Sequence, residues 1–347
     1  MAAPLVSTLQ SVAQLAGVSL STASRALHGS PRLRPATIAQ GQAAAVQVGY
    51  RANPYISDVM RRVRGRGRSG HLGAMAYLTF HDSADGWRRN ATYARFHEGA
   101  AQRAKALGFT LDTIWAREPR LGARRLTSSL EARGIAGVVV GPRPAAIGPD
   151  ILDWARFSSA TVGVPLRAVR LHQAGSHHAR LMERLLLELA ARGYRRPGLL
   201  LLEPQVSKAD PGWVTTWIHH EWRQRARERV PLLVLPTLEP RAIRRWLQRH
   251  RPDAVIGVEL GLVALLQDFG YDVPRDLGFA HLSRPERTDA PAGMDQCPRE
   301  IGAAAVELVA SQVLTNERGP AETPRVMLIE GVWREGWTAR TLESAAR

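Results

Sequence analysis

The chain has 347 residues, 45% of them apolar, which is enough to bury two or three cores and excludes a disordered polymer. Its formal net charge is +16, and all but two of its 47 basic residues (Lys105 and Lys208) are arginine. Such a balance favours a polyanionic partner such as nucleic acid, although an arginine-rich composition is also what a GC-rich genome produces.

Distribution says more than the total. Residues 1–70 hold nine arginines (Arg25, Arg32, Arg34, Arg51, Arg61, Arg62, Arg64, Arg66, Arg68) against one acid, Asp58. Nine minus one is +8, half the excess in a fifth of the chain. The single cysteine, Cys297, excludes an internal disulfide and suits a reducing cytosol. The N-terminus lacks the basic and apolar regions of a signal peptide, and no apolar run reaches the roughly 18 residues of a spanning helix. The expectation is a cytoplasmic, nucleoid-associated protein with no membrane partner.

The first elements lie in "TLQSVAQLAGVSLSTASRALHG". Leu9, Val12, Ala13 and Ala16 share one face of a short helix. Gly17 ends that helix, Val18 plugs the corner, and Ser19 is a good N-cap for the next. Ala23, Ala26 and Leu27 turn inward, while Leu20, Ser21, Thr22, Ser24 and Arg25 lie at the start or on the outer face. Two short helices joined by a glycine turn form a helix-turn-helix. A third helix runs from about Pro35 to Val48 and stops at Gly49.

These residues, above all "VAQLAGVSLSTASRALHGSPRL" and "AAAVQVGYRANP", closely resemble the DNA-binding head of the lac-repressor (LacI/GalR) family of transcription factors. A recognition helix enters the major groove with its leading residues at base edges. Arg25 can donate to guanine O6 and N7, with Ser21 and Leu20 facing neighbouring bases. Thr22, Ser24 and the helix ends near Thr8 and Ser19 suit phosphates. The plainer alternative is that the hydroxyls only cap and Arg25 is solvated. His28 at the end of the helix and Tyr50, Asn53, Ile56, Val59 and Met60 downstream complete the candidate DNA contacts. The resemblance implies that a hinge helix follows Tyr50–Pro54, forms on operator DNA and packs against its twin in a homodimer. It also implies that Val59 wedges into the minor groove, where the family usually has Leu. Met60 is placed to share that task.

"RRVRGRGRSGHLG" contains G-x-G-x-x-G at Gly65, Gly67 and Gly70. A dinucleotide loop follows a strand and opens a helix; this one follows a helix candidate and precedes the strand "GAMAYLTF", so it reads as a basic linker. Its arginines either contact phosphates or are simply solvated.

From Leu72 onward, strand candidates ("GAMAYLTF", "TLDTIW", "AGVVVG", "ATVGV", "PGLLLL", "PLLVLP", "DAVIGV", "LGFAHL") alternate with helical patterns near 93–107, 122–133, 179–192, 239–249, 259–269 and 299–314. The alternation predicts doubly wound parallel sheets in two lobes. The fold class is thus an all-α helix-turn-helix head followed by an α/β core. The resemblance implies that this core is the two-lobed, periplasmic-binding-protein-like clamp of the same family. The expected divisions are 1–53 for the head and 54–70 for the hinge and linker. Residues 71–165 with 295–322 form the first lobe, and 166–294 with 323–347 the second.

The resemblance also implies a small effector, a carbohydrate among the candidates, between the lobes. The polar residues usual in sugar-binding members are missing from "HQAGSHHARL", "PQVSKADPGWVTTW" and "GVELGL". Ligands in such folds bind at the carboxyl ends of strands. There Asp82, Trp87, Arg88, Asn90 and Tyr93 should lie; with Lys208, Trp213, Trp217 and Glu259 in the altered regions and Asp295 at the expected lobe crossover, they can stack on a sugar or bond its hydroxyls. Each can equally be a packing or interface residue. The altered pocket leaves a second reading open, a regulator whose core is ligand-blind or senses a protein.

His177–His178 and His219–His220–Glu221 lack metal-ligand spacing, and no G-x-S-x-G, Walker A or cysteine cluster occurs. No enzyme activity, metal or cofactor is expected. No leucine-rich heptad follows Arg340, which favours a dimer over a tetramer.

Overall fold

The computed structural model describes residues 9–27, 29–50, 72–119, 121–142, 148–166, 168–208 and 211–340, which fall in two compact units. The smaller contains α1 (Leu9–Leu15), α2 (Leu20–Leu27) and α3 (Pro35–Gln47). Val12, Ala13, Ala16, Ala23, Ala44 and Ala45 form its core, with Leu9, Val18, Leu27, Val48 and Tyr50 packed around them. Alanine-lined faces bring the backbones close. A Cβ on Gly41 of α3 would lie 2.7 Å from the Ala26 Cβ of α2. The turn after α1 places Gly17 at φ 60°, in the left-handed region, as expected from sequence. The Ser19 Oγ accepts from the Thr22 N–H at 3.2 Å, capping α2.

The larger unit holds two sheets. The first comprises β1 (Gly73–Thr79), β2 (Phe109–Trp115), β3 (Ile135–Val140), β4 (Ser158–Val162), β5 (His172–Ser176) and β11 (Val326–Ile329), in the order β11-β5-β4-β3-β1-β2. The second comprises β6 (Pro197–Leu202), β7 (Leu233–Leu235), β8 (Ala254–Gly257), β9 (Gly278–His281), β10 (Gly293–Asp295) and β12 (Val332–Arg334), in the order β12-β10-β9-β8-β6-β7. All pairings are parallel except β10–β12. Helices α4 (Ala91–Leu107), α5 (Ala123–Ala132), α6 (His178–Ala191), α7 (Glu203–Lys208), α8 (Gly212–Arg223), α9 (Pro240–His250), α10 (Gly261–Asp268) and α11 (Pro298–Thr315) connect them.

The apolar runs explain the strands. β3 and β8 are buried almost throughout, as expected of sheets covered on both faces. Leu78, Val138, Val140, Leu126, Leu130 and Phe157 pack together in the first lobe. The second lobe has one cluster around Leu185, Leu199 and Trp217 and another around Ile243, Val255 and Leu266. Each fully buried Leu, Ile or Val contributes roughly 1.5–3 kcal/mol.

Sheet membership corrects the expected division. His172–Ser176 fell in the second lobe by sequence, yet β5 pairs with β4 and β11, and the Gln173 N–H donates to the Arg325 carbonyl at 3.0 Å. Val326–Ile329 therefore returns to the first sheet, while Val332–Arg334 joins the second. The chain passes between the sheets after β5, after β10 and after β11. Helix α11 lies on the first lobe: the Gln312 Oε1 accepts from the Ser159 N–H, and its Nε2 donates to the Ser159 carbonyl. α4 and α11 cross with their backbones nearly touching. A Cβ on Gly99 would fall 1.9 Å from the Arg299 carbonyl oxygen, and one on Gly302 would fall 1.9 Å from that of Phe96.

Candidate nucleic-acid interface and effector site

Helix α2 buries Ala23 and Ala26 and turns Leu20, Ser21 and Arg25 to solvent. Ser21 and Arg25, four residues apart, stand one above the other on the outer face. Leu20 is 52% exposed, an apolar side chain held out at the leading end. The Arg25 guanidinium makes no ion pair with a described residue. The Ser19 hydroxyl meets those of Ser21 and Thr22 at 3.1 and 2.8 Å, so a hydroxyl cluster stands at the amino end of α2. Ser24 is half-buried beside it. Tyr50 is half-buried against the head core, which raises its phenol above the usual range, and its backbone N–H donates to the Ala45 carbonyl. Thr8, His28, Asn53, Ile56, Val59 and Met60 lie outside the described residues.

The outer face of α2 is short, polar and cationic, on a rigid three-helix base. It can enter a groove and present a fork of parallel donors to a base edge.

At the carboxyl end of β1 the chain runs through a compact turn into a 3-10 helix, Gly86–Arg89, and then α4. Trp87 is 3% exposed, lies tilted against the His97 ring at 4.5 Å and sits under the Arg88 guanidinium at 4.4 Å. Tyr93 stands 5.6 Å from His81. Tyr77, fully buried on β1, meets His97 edge-on at 5.0 Å. Sequence reading found Trp87 and Tyr93 but missed Tyr77, His81 and His97, which complete the cluster. The Tyr77 hydroxyl, the His81 Nδ1 and the Trp87 Nε1 are buried with no hydrogen-bond partner among the described residues. Burial, then the neighbouring Tyr93, keeps the Tyr77 phenol protonated well above the usual range; burial, then Arg88, lowers the His97 imidazole. Two buried donors without acceptors can receive a hydroxyl or carboxylate oxygen.

The remaining first-lobe candidates border this cluster and are engaged with protein groups. Asp82 pairs with Arg117 at 2.7 Å on the surface, and Arg88 pairs with Asp85 at 3.0 Å. Asn90 caps α4, its Oδ1 accepting from the Tyr93 N–H.

In the second lobe, Glu259 after β8 accepts from the Gln205 Nε2 at 2.6 Å, and the Gln205 Oε1 in turn accepts from the Leu202 N–H at the end of β6. Trp213 is 6% exposed and belongs to the core, its ring 4.6 Å from His178. Its indole N–H has no partner among the described residues. Asp295 accepts from the Cys297 N–H at 3.0 Å, with Arg334 at 3.8 Å. The side chain of Lys208 lies outside the described residues. The candidates therefore form separate groups, with Trp87–Tyr93 in one lobe and Glu259 and Trp213 in the other. The histidine pairs serve packing and capping: His177 caps α6, and the His220 ring lies tilted against Trp217 at 5.5 Å. No group of three metal-ligating side chains occurs among the described residues.

A polar bridge joins the lobes. Glu286, in the segment after β9, places its Oε2 2.9 Å from both the Arg95 Nε of α4 and the Arg299 Nη1 of α11. The Arg95 Nη2 also donates to the Glu286 carbonyl, and Arg299 pairs with Glu98 at 2.8 Å. The Arg299 guanidinium, foremost, holds the Glu286 carboxyl below the usual carboxylate range. Nothing in the local sequence pattern marks these four residues, which come from three distant segments.

Residues 8–53 match the family described as "Bacterial regulatory proteins, lacI family". A search of curated proteins finds no match to the sequence. Among solved structures, the fold is similar to the transcriptional regulator CelR in complex with cellobiose (18% identity, 96% of this chain and 99% of that one, TM-score 0.55). It is similar to the lac repressor bound to ONPG in the repressed state (15% identity, 96% and 99%, TM-score 0.54). It is also similar to a lacI-family regulator from Silicibacter pomeroyi (20% identity, 95% and 98%, TM-score 0.50).

Proposed function

We propose that this chain, whose residues 8–53 match the lacI family of bacterial regulatory proteins, belongs to that family and is a dimeric repressor that reads a specific operator and releases or grips it according to a small effector between its lobes. The reading assigns a head at 1–53 and a hinge with basic linker at 54–70. The lobes follow the two sheets, with 72–176, α11 and β11 in the first and 177–295 and β12 in the second. Its place is the cytoplasm, where operator DNA is.

One observation carries the proposal: the outer face of α2, with Leu20, Ser21 and Arg25 exposed over an alanine-packed three-helix base. One such helix contacts few base pairs, so specificity calls for two heads on a two-fold site. Effector control follows if the two lobes hold the ligand with different affinity in the two operator-binding states. The Tyr77 and Trp87 donors support a ligand with oxygen acceptors. Cellobiose, bound by a solved regulator of the same fold, makes disaccharides the first class to test.

The Glu286 bridge favours a second reading, a ligand-blind regulator in which protein groups already hold the lobes together. Thermal-shift screening of the full chain against sugars and sugar acids separates the two. A saturable shift supports effector control, and operator specificity without any shift supports the ligand-blind form. The proposal as a whole is tested by selecting bound duplexes from a random pool, with one enriched pseudo-palindrome as the expected result.

A further inference from the structure

Helix α9 reads Pro-Arg-Ala-Ile-Arg-Arg-Trp-Leu-Gln-Arg-His. Ile243, Trp246 and Leu247 are buried, while Arg241, Arg244, Arg245 and Arg249 are exposed. At 3.6 residues per turn the four arginines span an arc of about 140°. Arg251 is exposed just beyond the helix.

None of the five lies within 4.0 Å of a carboxylate of a described residue; the ion pairs of the chain fall on other arginines. Elsewhere helical arginines are matched with acids: Arg103 with Glu307, Arg180 with Glu183, Arg184 with Glu188, Arg299 with Glu98. On α9 the neighbours at i+3 and i+4 are like charges, which repel. The only acid between 239 and 251 is Glu239, at the opposite end from Arg249 and Arg251.

The basic surface extends sideways. The Arg196 Nη2 donates to the His250 carbonyl at 2.6 Å, and its Nη1 donates to the Arg227 carbonyl. This brings the exposed Arg225 and Arg227 beside the carboxyl end of α9. Two acids of this surface are already engaged: Asp253 accepts from the Arg195 and Arg196 N–H groups, and Glu228 lies 3.9 Å from Arg227.

We propose that this face of α9 is a second contact for duplex DNA, sequence-independent and separate from the head. From Arg241 to Arg249 the helix runs about 12 Å. The same length of duplex carries about seven phosphates, counting both strands. The one aromatic residue of α9, Trp246, is buried, and the neighbouring Phe269 lies under the Arg244 guanidinium at 4.6 Å, so the helix offers charge to a duplex backbone rather than a stacking platform to a single strand. Guanidinium groups that repel each other in the free protein gain matched counter-charges on DNA. The chain would then hold DNA at two places, reading sequence with one and only charge with the other.

The test uses the full-length chain with Arg241, Arg244, Arg245 and Arg249 each changed to Gln, and a milder pair, Arg241→Gln with Arg245→Gln. A control removes the same charge from ion-paired positions, Arg117, Arg156, Arg180 and Arg184, also to Gln. Binding to a random-sequence 40-base-pair duplex is followed by fluorescence anisotropy between 50 and 200 mM salt. The expected result is a salt slope shallower by about two to four units for the fourfold variant and about half of that for the pair. The control should stay near the parent. An Arg25→Ala chain should lose its preferred sequence yet keep the α9-dependent part of the slope, which separates this site from the head. An unchanged slope in the fourfold variant overturns the proposal, as does an equal loss in the control. Tighter α9-dependent binding of single-stranded RNA or poly-glutamate than of duplex DNA overturns it in favour of that partner.

Discussion

A single carboxylate oxygen of Glu286 bonds Arg95, 191 residues away in sequence, while also holding Arg299. The bridge ties α4 and α11 of one lobe to the loop after β9 of the other. Arg95 is mostly sheltered, whereas Glu286 and Arg299 are substantially exposed, so each pair is worth no more than about 1 kcal/mol. Its leverage lies in where it sits, between the two lobes. Glu286→Gln is expected to broaden the distribution of lobe separations between spin labels on the two lobes. An unchanged distribution would show that the apolar contacts alone set the separation.

The same group has a pH signature. Its folded carboxyl lies below the unfolded value because of Arg299, so the stabilisation is present above the ordinary carboxylate range and is lost as pH falls through the depressed folded value. Lobe separation should therefore hold steady from neutrality past pH 4.5 and widen only below it. Glu286→Gln should remove that step.

Gly99 and Gly302 permit the α4–α11 crossing on which Arg95, Glu98 and Arg299 converge. Alanine at either position gains up to about 1 kcal/mol of helix propensity. It also drives a methyl group into a backbone carbonyl, which should cost more than that gain, about 1–3 kcal/mol net. Urea denaturation of Gly302→Ala should show a lower midpoint. A higher midpoint would mean the helices part without penalty.

How much of this was legible in the sequence depends on the range of the contacts. The head was readable because Ser19, Gly17, Pro35 and the alanine spacing act over a few residues. Strand β5 was not, because His172, Gln173 and Ser176 are polar; they are sheltered by β4 and β11, and the latter lies some 150 residues downstream. The Trp87 cluster was half visible. Its tryptophan and Tyr93 stood out, but Tyr77 reads as an ordinary strand residue, and only the fold sets it against His97. Trp213 packs in the second-lobe core, a placement that its local sequence does not distinguish from a ligand platform.

His281 is almost fully buried, and its Nδ1 accepts from the Ser283 N–H at 3.0 Å, a bond that requires that nitrogen to be unprotonated. Burial, foremost, pulls its imidazole down to about 4. A folded value below the unfolded one means stability is highest above about pH 6.5 and falls between there and about 4. The loss reaches roughly 3 kcal/mol. Proton NMR of the ring should show no titration above pH 5, and a midpoint near 6.5 would refute the burial argument.

The Tyr77 hydroxyl offers a probe of the proposed effector site. If it awaits a ligand, Tyr77→Phe relieves an unpartnered buried group and should raise the ligand-free stability by about 1 kcal/mol. The same change should diminish any thermal shift produced by a bound sugar. A large destabilisation would show that the hydroxyl has a structural partner.

The most direct measurement is selection of duplexes bound by the full-length chain at physiological salt, run in parallel on Arg25→Ala. The expected result is one pseudo-palindromic sequence, and a loss of about 1–3 kcal/mol at a single base position per half-site in the variant. A pool that yields no preferred sequence, or a variant that weakens equally on every duplex, would contradict the assignment of α2 as the helix that reads DNA.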